Sequence, residues 1–182
     1  SYILDLENLF RIKTGREEVC SLQLIEEISR ISNIIEKEIS VAIDRKGKVT
    51  SIAVGDSTSV ELPIIAIDQK RLSGSRVIHT HPSGRSNLSA MDISALIKLK
   101  LDAVIAIGLN EEGYSDFSIG TLMVHNDTLV PEEKNNISLN ELISINFHDK
   151  ITFIEGLIKK SDITEEEIEK AILVGTDTRE SL

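Results

Sequence analysis

Two histidines and one aspartate lie close together in the middle of the chain, and all three side chains can bind a metal ion. His79 and His81 follow the apolar residues Val77 and Ile78, as at the end of a β-strand. Side chains at positions i and i+2 of a strand project from the same face, so the two imidazoles can converge on one point. Asp92 follows at the foot of a helix-like segment. Two imidazoles and a carboxylate with an open fourth position make a catalytic zinc site.

The residues between the histidines and the aspartate predict where the strand ends and where the helix begins. Pro82 cannot continue the hydrogen bonding of a central strand, and Ser83 and Gly84 are turn residues. Ser89 has the side chain of a helix N-cap and precedes an apolar periodic run. A strand, a loop and a capped helix are therefore expected to bring the three side chains together.

Each of these residues also has an ordinary structural interpretation. Ser89 and Asp92 have the spacing of a capping box, in which an aspartate at the positive end of a helix needs no metal. His79 can be a buried histidine with satisfied hydrogen bonds, and His81 can be a turn residue. The metal site is favoured because all of these residue types occur together at a fixed spacing.

That spacing, His-x-His-Pro followed by six residues and Ser-x-x-Asp, resembles the signature of the JAMM (MPN-type) metalloproteases. The sequence His-Thr-His-Pro-Ser-Gly also resembles the RadC proteins, which carry the same kind of domain. The resemblance implies an α/β (α+β) fold with a mixed β-sheet flanked by helices, in the JAMM/MPN, cytidine-deaminase-like architecture. It also implies that His79, His81 and Asp92 bind Zn²⁺, which activates a water molecule for attack on an amide carbonyl.

The same resemblance gives catalytic roles to two further residues. In the family a glutamate at the start of the first strand is the general base, and Glu38, just before Ile39, matches that position. Ser89 would donate a hydrogen bond to the developing oxyanion, a role that its hydroxyl would share with helix capping. Three other carboxylates remain open as the base, namely Glu36, Glu61 and Asp56.

The composition limits the class of protein. Of 182 residues, 41% are hydrophobic and only 3% aromatic, so a core of Ile, Leu and Val is predicted. The formal net charge of −10 argues against direct binding of nucleic acid, whose phosphates would be repelled. No apolar run reaches the length of a membrane span, so no membrane partner is expected. The single cysteine, Cys20, fits a reducing compartment and a core position, so a cytoplasmic location is expected.

Hydrophobic periodicity predicts the order helix, hairpin, strand, helix, strand, strand. This order is consistent with a mixed sheet flanked by helices. The predicted elements are a short helix within residues 1–14, a helix over 17–36, strands at 39–43 and 48–54, an irregular segment or edge strand at 60–67, the histidine strand at 76–81, a helix from 90 to about 100, a strand at 102–108, and one or two strands at 115–124.

Three parts of the chain are distinguished by composition. Residues 1–130 are predicted to form the JAMM/MPN-like domain. Residues 131–170 are predicted to form a helical linker, with a polar stretch at 131–136 and a helix at 139–160. Residues 171–182 are predicted to hold the first strand of a following domain that is cut short.

The end of the chain resembles the start of the core of HflX-type GTPases, because Ala171-Ile-Leu-Val-Gly175 follows an acidic helix. Some members of that family carry a JAMM-like module ahead of this core. Similar segments here are Glu38-Ile-Ser-Val, Val54-Gly-Asp-Ser57, Arg71-Leu-Ser-Gly74 and Leu101-Asp-Ala103. The chain contains no Gly-x-x-x-x-Gly-Lys-Ser/Thr sequence, so it is not expected to bind GTP itself.

Three functions stay open on the sequence. The chain is an active zinc hydrolase of amide or isopeptide bonds, a catalytically silent module that regulates an attached GTPase or binds a partner, or a RadC-like protein. The resemblance implies as partners the GTPase domain of the same longer chain and a protein or peptide substrate. It implies contact with the ribosome only through domains outside this chain.

Overall fold

The strand that carries the histidines lies inside a six-stranded sheet in the computed structural model, which describes residues 2–55, 72–125, 128–149 and 152. The strands are arranged in the order β2-β1-β3-β4-β5-β6. Only β3 and β4 run parallel to each other, and the other neighbouring strands are antiparallel. Their bounds are Ile39–Ile43 (β1), Val49–Val54 (β2), Arg76–His81 (β3), Ala103–Asn110 (β4), Gly113–His125 (β5) and Thr128–Ile137 (β6).

Helices cover both faces of this sheet. They are Tyr2–Leu9 (α1), Leu22–Ile35 (α2), Ala90–Lys98 (α3) and Leu139–Ile143 (α4). The larger apolar core lies between the sheet and α1, α2 and α4, whereas α3 packs with a smaller core on the opposite face. The predicted mixed sheet flanked by helices is therefore confirmed, while the JAMM/MPN architecture stays a prediction. None of the helices within the described ranges is both long enough and apolar enough to cross a lipid bilayer.

The first long helix begins later than predicted. Ser21 is its N-cap and accepts a hydrogen bond from the backbone N–H of Leu24, so α2 begins at Leu22 and not at residue 17. The helix ends at Glu36, which adopts a left-handed conformation with φ of 56°. Cys20 precedes the helix but is buried, as predicted for a core residue.

The prediction of a polar linker at residues 131–136 is wrong, because these residues belong to β6. The strand pairs with β5 from Phe117 opposite Ile137 to His125 opposite Thr128. It forms one edge of the sheet, where charged residues and Pro131 are tolerated because one side of the strand needs no hydrogen-bonded partner. The sheet thus continues past residue 130, the predicted end of the first domain.

The single helix predicted at residues 139–160 is interrupted. Helix α4 begins after Ser138, whose side chain accepts from the N–H of Glu141, and it ends at Ile143. A further helical turn follows at residues 147–149. The predicted segments at 60–67 and 161–175 lie outside the described residues, so the division of the chain into domains stays a prediction.

One buried cation joins three parts of the molecule at the start of β3. Arg76 is 1% exposed, and its guanidinium donates to the backbone carbonyls of Glu18, Val19 and Asp44 at 2.7, 3.2 and 3.0 Å. Its Cζ also lies 4.8 Å from the centroid of the Phe147 ring. Burial lowers the pKa of Arg76, although nearby acidic groups oppose this shift.

Candidate metal centre

The pleat of β3 places both histidines on the face of the sheet that α3 covers. Val77 belongs to the apolar cluster on the α3 side and Ile78 to the cluster on the α2 side. Thr80 also points to the α2 side, where its Oγ1 lies 2.8 Å from Oγ of Ser32. Alternation along the strand therefore turns His79 and His81 toward α3, as the spacing predicted. Their ring centroids are 4.7 Å apart.

Small residues on the neighbouring strands leave space beside the two imidazoles. The sheet register pairs His79 with Ser40 on β1 and with Ala106 on β4. The same register pairs His81 with Gly108 on β4. The start of α3 and the loop that precedes it can therefore approach the sheet closely at this point.

The start of α3 brings the third side chain to the histidines. Ser89 is the N-cap, and its Oγ accepts a hydrogen bond of 3.1 Å from the N–H of Asp92. In return the N–H of Ser89 donates to Oδ2 of Asp92 at 2.8 Å, which completes a capping box. The other carboxylate oxygen, Oδ1, lies 3.1 Å from Nε2 of His79. One oxygen of the Asp92 carboxylate therefore caps the helix, while the other faces His79 as a candidate metal ligand.

The three side chains form a group that could hold a metal ion. One ligand atom from each of His79, His81 and Asp92 lies within 4.8 Å of the others, and no other such group of three occurs in the described part of the chain. Nε2 of His79 is buried and has no hydrogen-bond partner, because its close approach to Asp92 lacks the direction of a hydrogen bond. A buried polar atom without a partner costs free energy, and a metal ion would supply the missing contact.

The surroundings of His81 favour the form of imidazole that binds metals. Its Nδ1 lies 2.7 Å from the backbone carbonyl of Arg85, which can only accept, so Nδ1 carries the proton and Nε2 keeps a free lone pair. Burial and the neighbouring His79 lower the pKa of His81, against the opposing effect of the Arg85 carbonyl and two carboxylates. The imidazole is therefore neutral at neutral pH.

The carboxylate of Asp92 is ionised in the same environment. Burial alone would raise its pKa, but the contact with His79 and the N–H of Ser89 outweigh burial, and the pKa of Asp92 lies below its usual value. Two imidazole nitrogens and an anionic oxygen are the donor set that zinc accepts in proteins. The residues present therefore fit the predicted ion.

The sheet register favours Glu38 as the neighbour of this site. β1 and β3 pair Ala42 with Val77 and Ser40 with His79. If the pairing is continued by two residues, Glu38 comes opposite His81 and faces the same side of the sheet. Glu38 is half-buried and directly precedes β1. Its role as general base stays a prediction.

The competing carboxylates have different positions. Glu36 is exposed at the end of α2, in a left-handed conformation and outside the β1–β3 pairing. Asp56 and Glu61 lie outside the described residues. Ser89, the predicted oxyanion donor, is exposed at the helix start, and its hydroxyl accepts from Asp92 while keeping its own proton to donate.

A group of polar residues beside the histidines was missed by the sequence analysis. We call it the loop clamp: Ser86, Asp116, Ser118 and Asn136. It joins the loop after His81 to β5 and β6. A weak signal exists in the sequence, because Gly108 interrupts an apolar strand, and Asp116 and Ser118 alternate with apolar residues on the next strand.

Cys20 and His148 lie outside this ligand group in the part of the chain that the structure describes. Cys20 is 2% exposed, and burial raises the pKa of its thiol far above the ordinary value, so it is a core residue and not a nucleophile. Nδ1 of His148 accepts a hydrogen bond of 3.0 Å from Nε of Arg16. His125 is the last residue of β5.

Searches against protein-family models, curated proteins and solved structures found no match to this chain. The interpretation of the site therefore depends on its own geometry, in which two imidazoles on β3 and a carboxylate at the start of α3 could together hold a metal ion.

Proposed function

We propose that the chain is a zinc-binding module of the JAMM type, and that it hydrolyses amide or isopeptide bonds. The observation that carries the proposal is the buried Nε2 of His79, which has no hydrogen-bond partner and lies 3.1 Å from Oδ1 of Asp92. His81 lies beside them with its Nε2 lone pair available. Three protein ligands leave one position open for water or substrate, which distinguishes catalytic from structural zinc sites.

The residues of the chain have separate roles in this proposal. His79, His81 and Asp92 hold the ion, which supplies a Lewis acid and an activated water when bound. Glu38 receives a proton during attack on the amide carbonyl and passes it to the leaving amine. Ser89 donates a hydrogen bond from its hydroxyl to the oxygen that becomes negatively charged.

We also propose that this module belongs to an HflX-type GTP-binding protein. Support comes from the sequence segments that resemble the family, among them Glu38-Ile-Ser-Val before β1 and Leu101-Asp-Ala103 at the start of β4. Contacts with a GTPase domain of the same longer protein, and with the ribosome through that protein, are part of this proposal. The alternative is a module that regulates the GTPase without catalysis. An assay of peptide and isopeptide cleavage distinguishes it from the hydrolase.

Metal content tests the site first. We expect about one zinc ion per chain in protein purified without a histidine tag, because three ligands converge at one point. A His79→Ala, His81→Ala double variant should lose the ion, whereas His148→Ala should keep it. Mass spectrometry of the metals bound to each purified protein gives the result.

Metal content and cleavage together distinguish the proposed hydrolase from a regulatory module. If the wild-type protein binds no metal even after zinc is added back, the proposed site is wrong. If it binds zinc but cleaves none of a set of peptide and isopeptide-linked substrates, the regulatory module replaces the hydrolase. Cleavage that disappears in the double variant and survives in His148→Ala supports the enzyme.

A further inference from the structure

One row of residues runs across three strands beside the metal centre. The register pairs His81 of β3 with Gly108 of β4, and pairs Gly108 with Asp116 of β5. Residues paired in this way project from the same face of the sheet. Because Gly108 has no side chain, a gap is left between His81 and Asp116 on the face that α3 covers.

The loop that follows His81 fills this gap. A Cβ atom at position 108 would overlap Oδ1 of Asp116 and would lie 3.0 Å from the carbonyl oxygen of Gly84 and 3.1 Å from the N–H nitrogen of Ser86. The loop backbone therefore lies directly on β4. Glycine at this position lets the loop reach Asp116.

The loop clamp holds the loop in that position. Oγ of Ser86 donates to Oδ2 of Asp116 at 2.6 Å and lies 2.8 Å from Oγ of Ser118, and both serines are fully buried. Nδ2 of Asn136 on β6 donates to the same Oδ2 at 2.7 Å. Ser115 donates to Oδ1 at 3.0 Å. Three side chains thus donate to one carboxylate, which ties the loop to β5 and β6.

Ser86 of the loop clamp directly follows Arg85, whose backbone carbonyl orients the candidate ligand His81. The carbonyl of Arg85, which accepts from Nδ1 of His81 at 2.7 Å, is bonded to the backbone nitrogen of Ser86. The side chain of Arg85 is exposed, and Ser86 anchors the backbone directly after this carbonyl to β5. On either side, the N–H of Gly84 donates to the carbonyl of His81 at 3.1 Å, and the side chains of Asn87 and Asn136 exchange hydrogen bonds. Mutation of a partner that orients a ligating histidine typically lowers metal affinity by about 10- to 100-fold.

We propose that Asp116 is a positioning residue of the metal centre: through Ser86 it fixes the Arg85 carbonyl, which holds His81 in the tautomer and orientation that bind the ion. The inference depends on the proposed metal function. Asp116 does not touch the ion and is not a ligand.

The charge of Asp116 suits this role. Burial would raise its pKa, but the hydrogen bonds from Ser86, Asn136 and Ser115 outweigh burial, so the pKa of Asp116 lies below its usual value. Hydrogen bonds to an ionised acceptor are shorter and stronger than those between neutral groups. An asparagine at this position would keep the shape but replace one accepting oxygen with a donating amide, facing side chains that also donate.

The test compares Asp116→Asn with a matched variant, Asp102→Asn. Asp102 lies just before the opposite end of β4, is 4% exposed and forms a two-pronged ion pair with Arg45 at 2.8 and 2.9 Å. Both variants remove a charge that accepts hydrogen bonds, but only Asp116 belongs to the loop clamp. Binding of Co²⁺ and Zn²⁺ is measured by competition with a chelator, and the visible absorption of bound Co²⁺ reports coordination geometry.

We expect Asp116→Asn to weaken metal binding by about 10- to 100-fold and to change the Co²⁺ spectrum, while Asp102→Asn changes neither. Circular dichroism establishes that each variant is folded. If Asp116→Asn does not fold, Ser86→Ala removes the link between the loop and Asp116 with a smaller change, and a several-fold loss of affinity is expected.

Unchanged affinity together with an unchanged Co²⁺ spectrum, in whichever of these two variants folds, overturns the inference and leaves the proposed metal function standing. A wild-type protein that binds neither ion overturns the proposed metal function, and the inference with it. A loss of affinity equal in Asp102→Asn and Asp116→Asn assigns Asp116 to general stability and also overturns the inference.

Discussion

At the scale of single residues, Asp92 divides its carboxylate between the helix and the candidate metal centre. Oδ2 accepts the N–H of Ser89, and Oδ1 lies 3.1 Å from Nε2 of His79. The capping box holds the aspartate at the helix start before any ion is bound. The structural and the metal-binding interpretations of Ser-x-x-Asp are therefore compatible in one arrangement, and the helix cap orients the candidate ligand.

Glu38 is the residue whose role is most open to test. We expect Glu38→Gln to lower hydrolysis by about 100- to 10,000-fold, because general acid–base catalysis contributes an acceleration of that order. Zinc binding should not change, since glutamine keeps the size of the side chain and Glu38 is not in the ligand group. Rates and zinc content are measured on the same preparations.

The matched control is Glu36→Gln, which removes a charge two residues away at an exposed position outside the β1–β3 pairing. It should leave the rate unchanged. Equal rates in the wild-type protein and Glu38→Gln would show that another carboxylate is the base, and Asp56 and Glu61 would be tested next.

At the scale of elements, the cap of α3 contributes both to stability and to the position of Asp92. Ser89→Ala removes the hydroxyl that accepts the N–H of Asp92, and we expect it to lower the free energy of unfolding by about 0.5–2 kcal/mol. Metal affinity should fall as well, because the helix start that carries Asp92 loses its cap. Urea unfolding and zinc titration measure the two effects.

Ser138→Ala provides the comparison, because Ser138 caps α4 by accepting the N–H of Glu141. It should cost a similar free energy of unfolding and leave zinc affinity unchanged. If Ser89→Ala also binds zinc as tightly as the wild-type protein, the cap does not position the ligand.

The elements that could be predicted from sequence are those with a strong local signal. β3 and β4 are apolar runs, and α3 has both a cap and an apolar face, so their positions were predicted closely. The structure also brings His79, His81 and Asp92 together, while their binding of zinc stays a prediction. The polar residues from Pro131 to Asn136 predict a linker, whereas the structure places them in β6, and only an edge position in the sheet makes such residues suitable for a strand. A polar edge strand and a polar linker have the same composition.

The loop clamp could not be predicted for a different reason. Ser86 and Asp116 are far apart in sequence and are joined only by the register of β3, β4 and β5. Register is determined by the packing of the whole sheet, which no short pattern encodes. The candidate ligands, by contrast, come from a strand and the helix that follows it.

At the scale of the whole molecule, Arg76 joins the segment before α2, the β1–β2 turn and the ring of Phe147. We expect Arg76→Lys to lower the free energy of unfolding by about 1–3 kcal/mol, because lysine cannot reach all three carbonyls and leaves buried acceptors without donors. Urea unfolding gives the value. The metal centre, at the other end of β3, should bind zinc as before.

Arg30→Lys is the control for loss of a guanidinium. Arg30 pairs with Asp5 and Glu27 on the surface, where its side chain is 44% exposed, and exposed ion pairs contribute about 0–1 kcal/mol. A loss in Arg76→Lys no larger than in Arg30→Lys would mean that water or rearranged side chains satisfy the carbonyls of Glu18 and Asp44.

The position of β3 between β1 and β4 has a consequence for hydrogen exchange. β3 pairs with β4 along its whole length and with β1 from Arg76 to His79, whereas the first turn of α3 begins at an exposed cap. Amides in a central strand open with close to the global free energy of unfolding, and a helix start opens with much less. A bound ion would join a slowly exchanging strand to a rapidly exchanging helix end. Zinc should therefore slow amide hydrogen exchange at residues 90–92 and hardly affect β3. The ion would stabilise the start of α3, which is the part of the site that opens first.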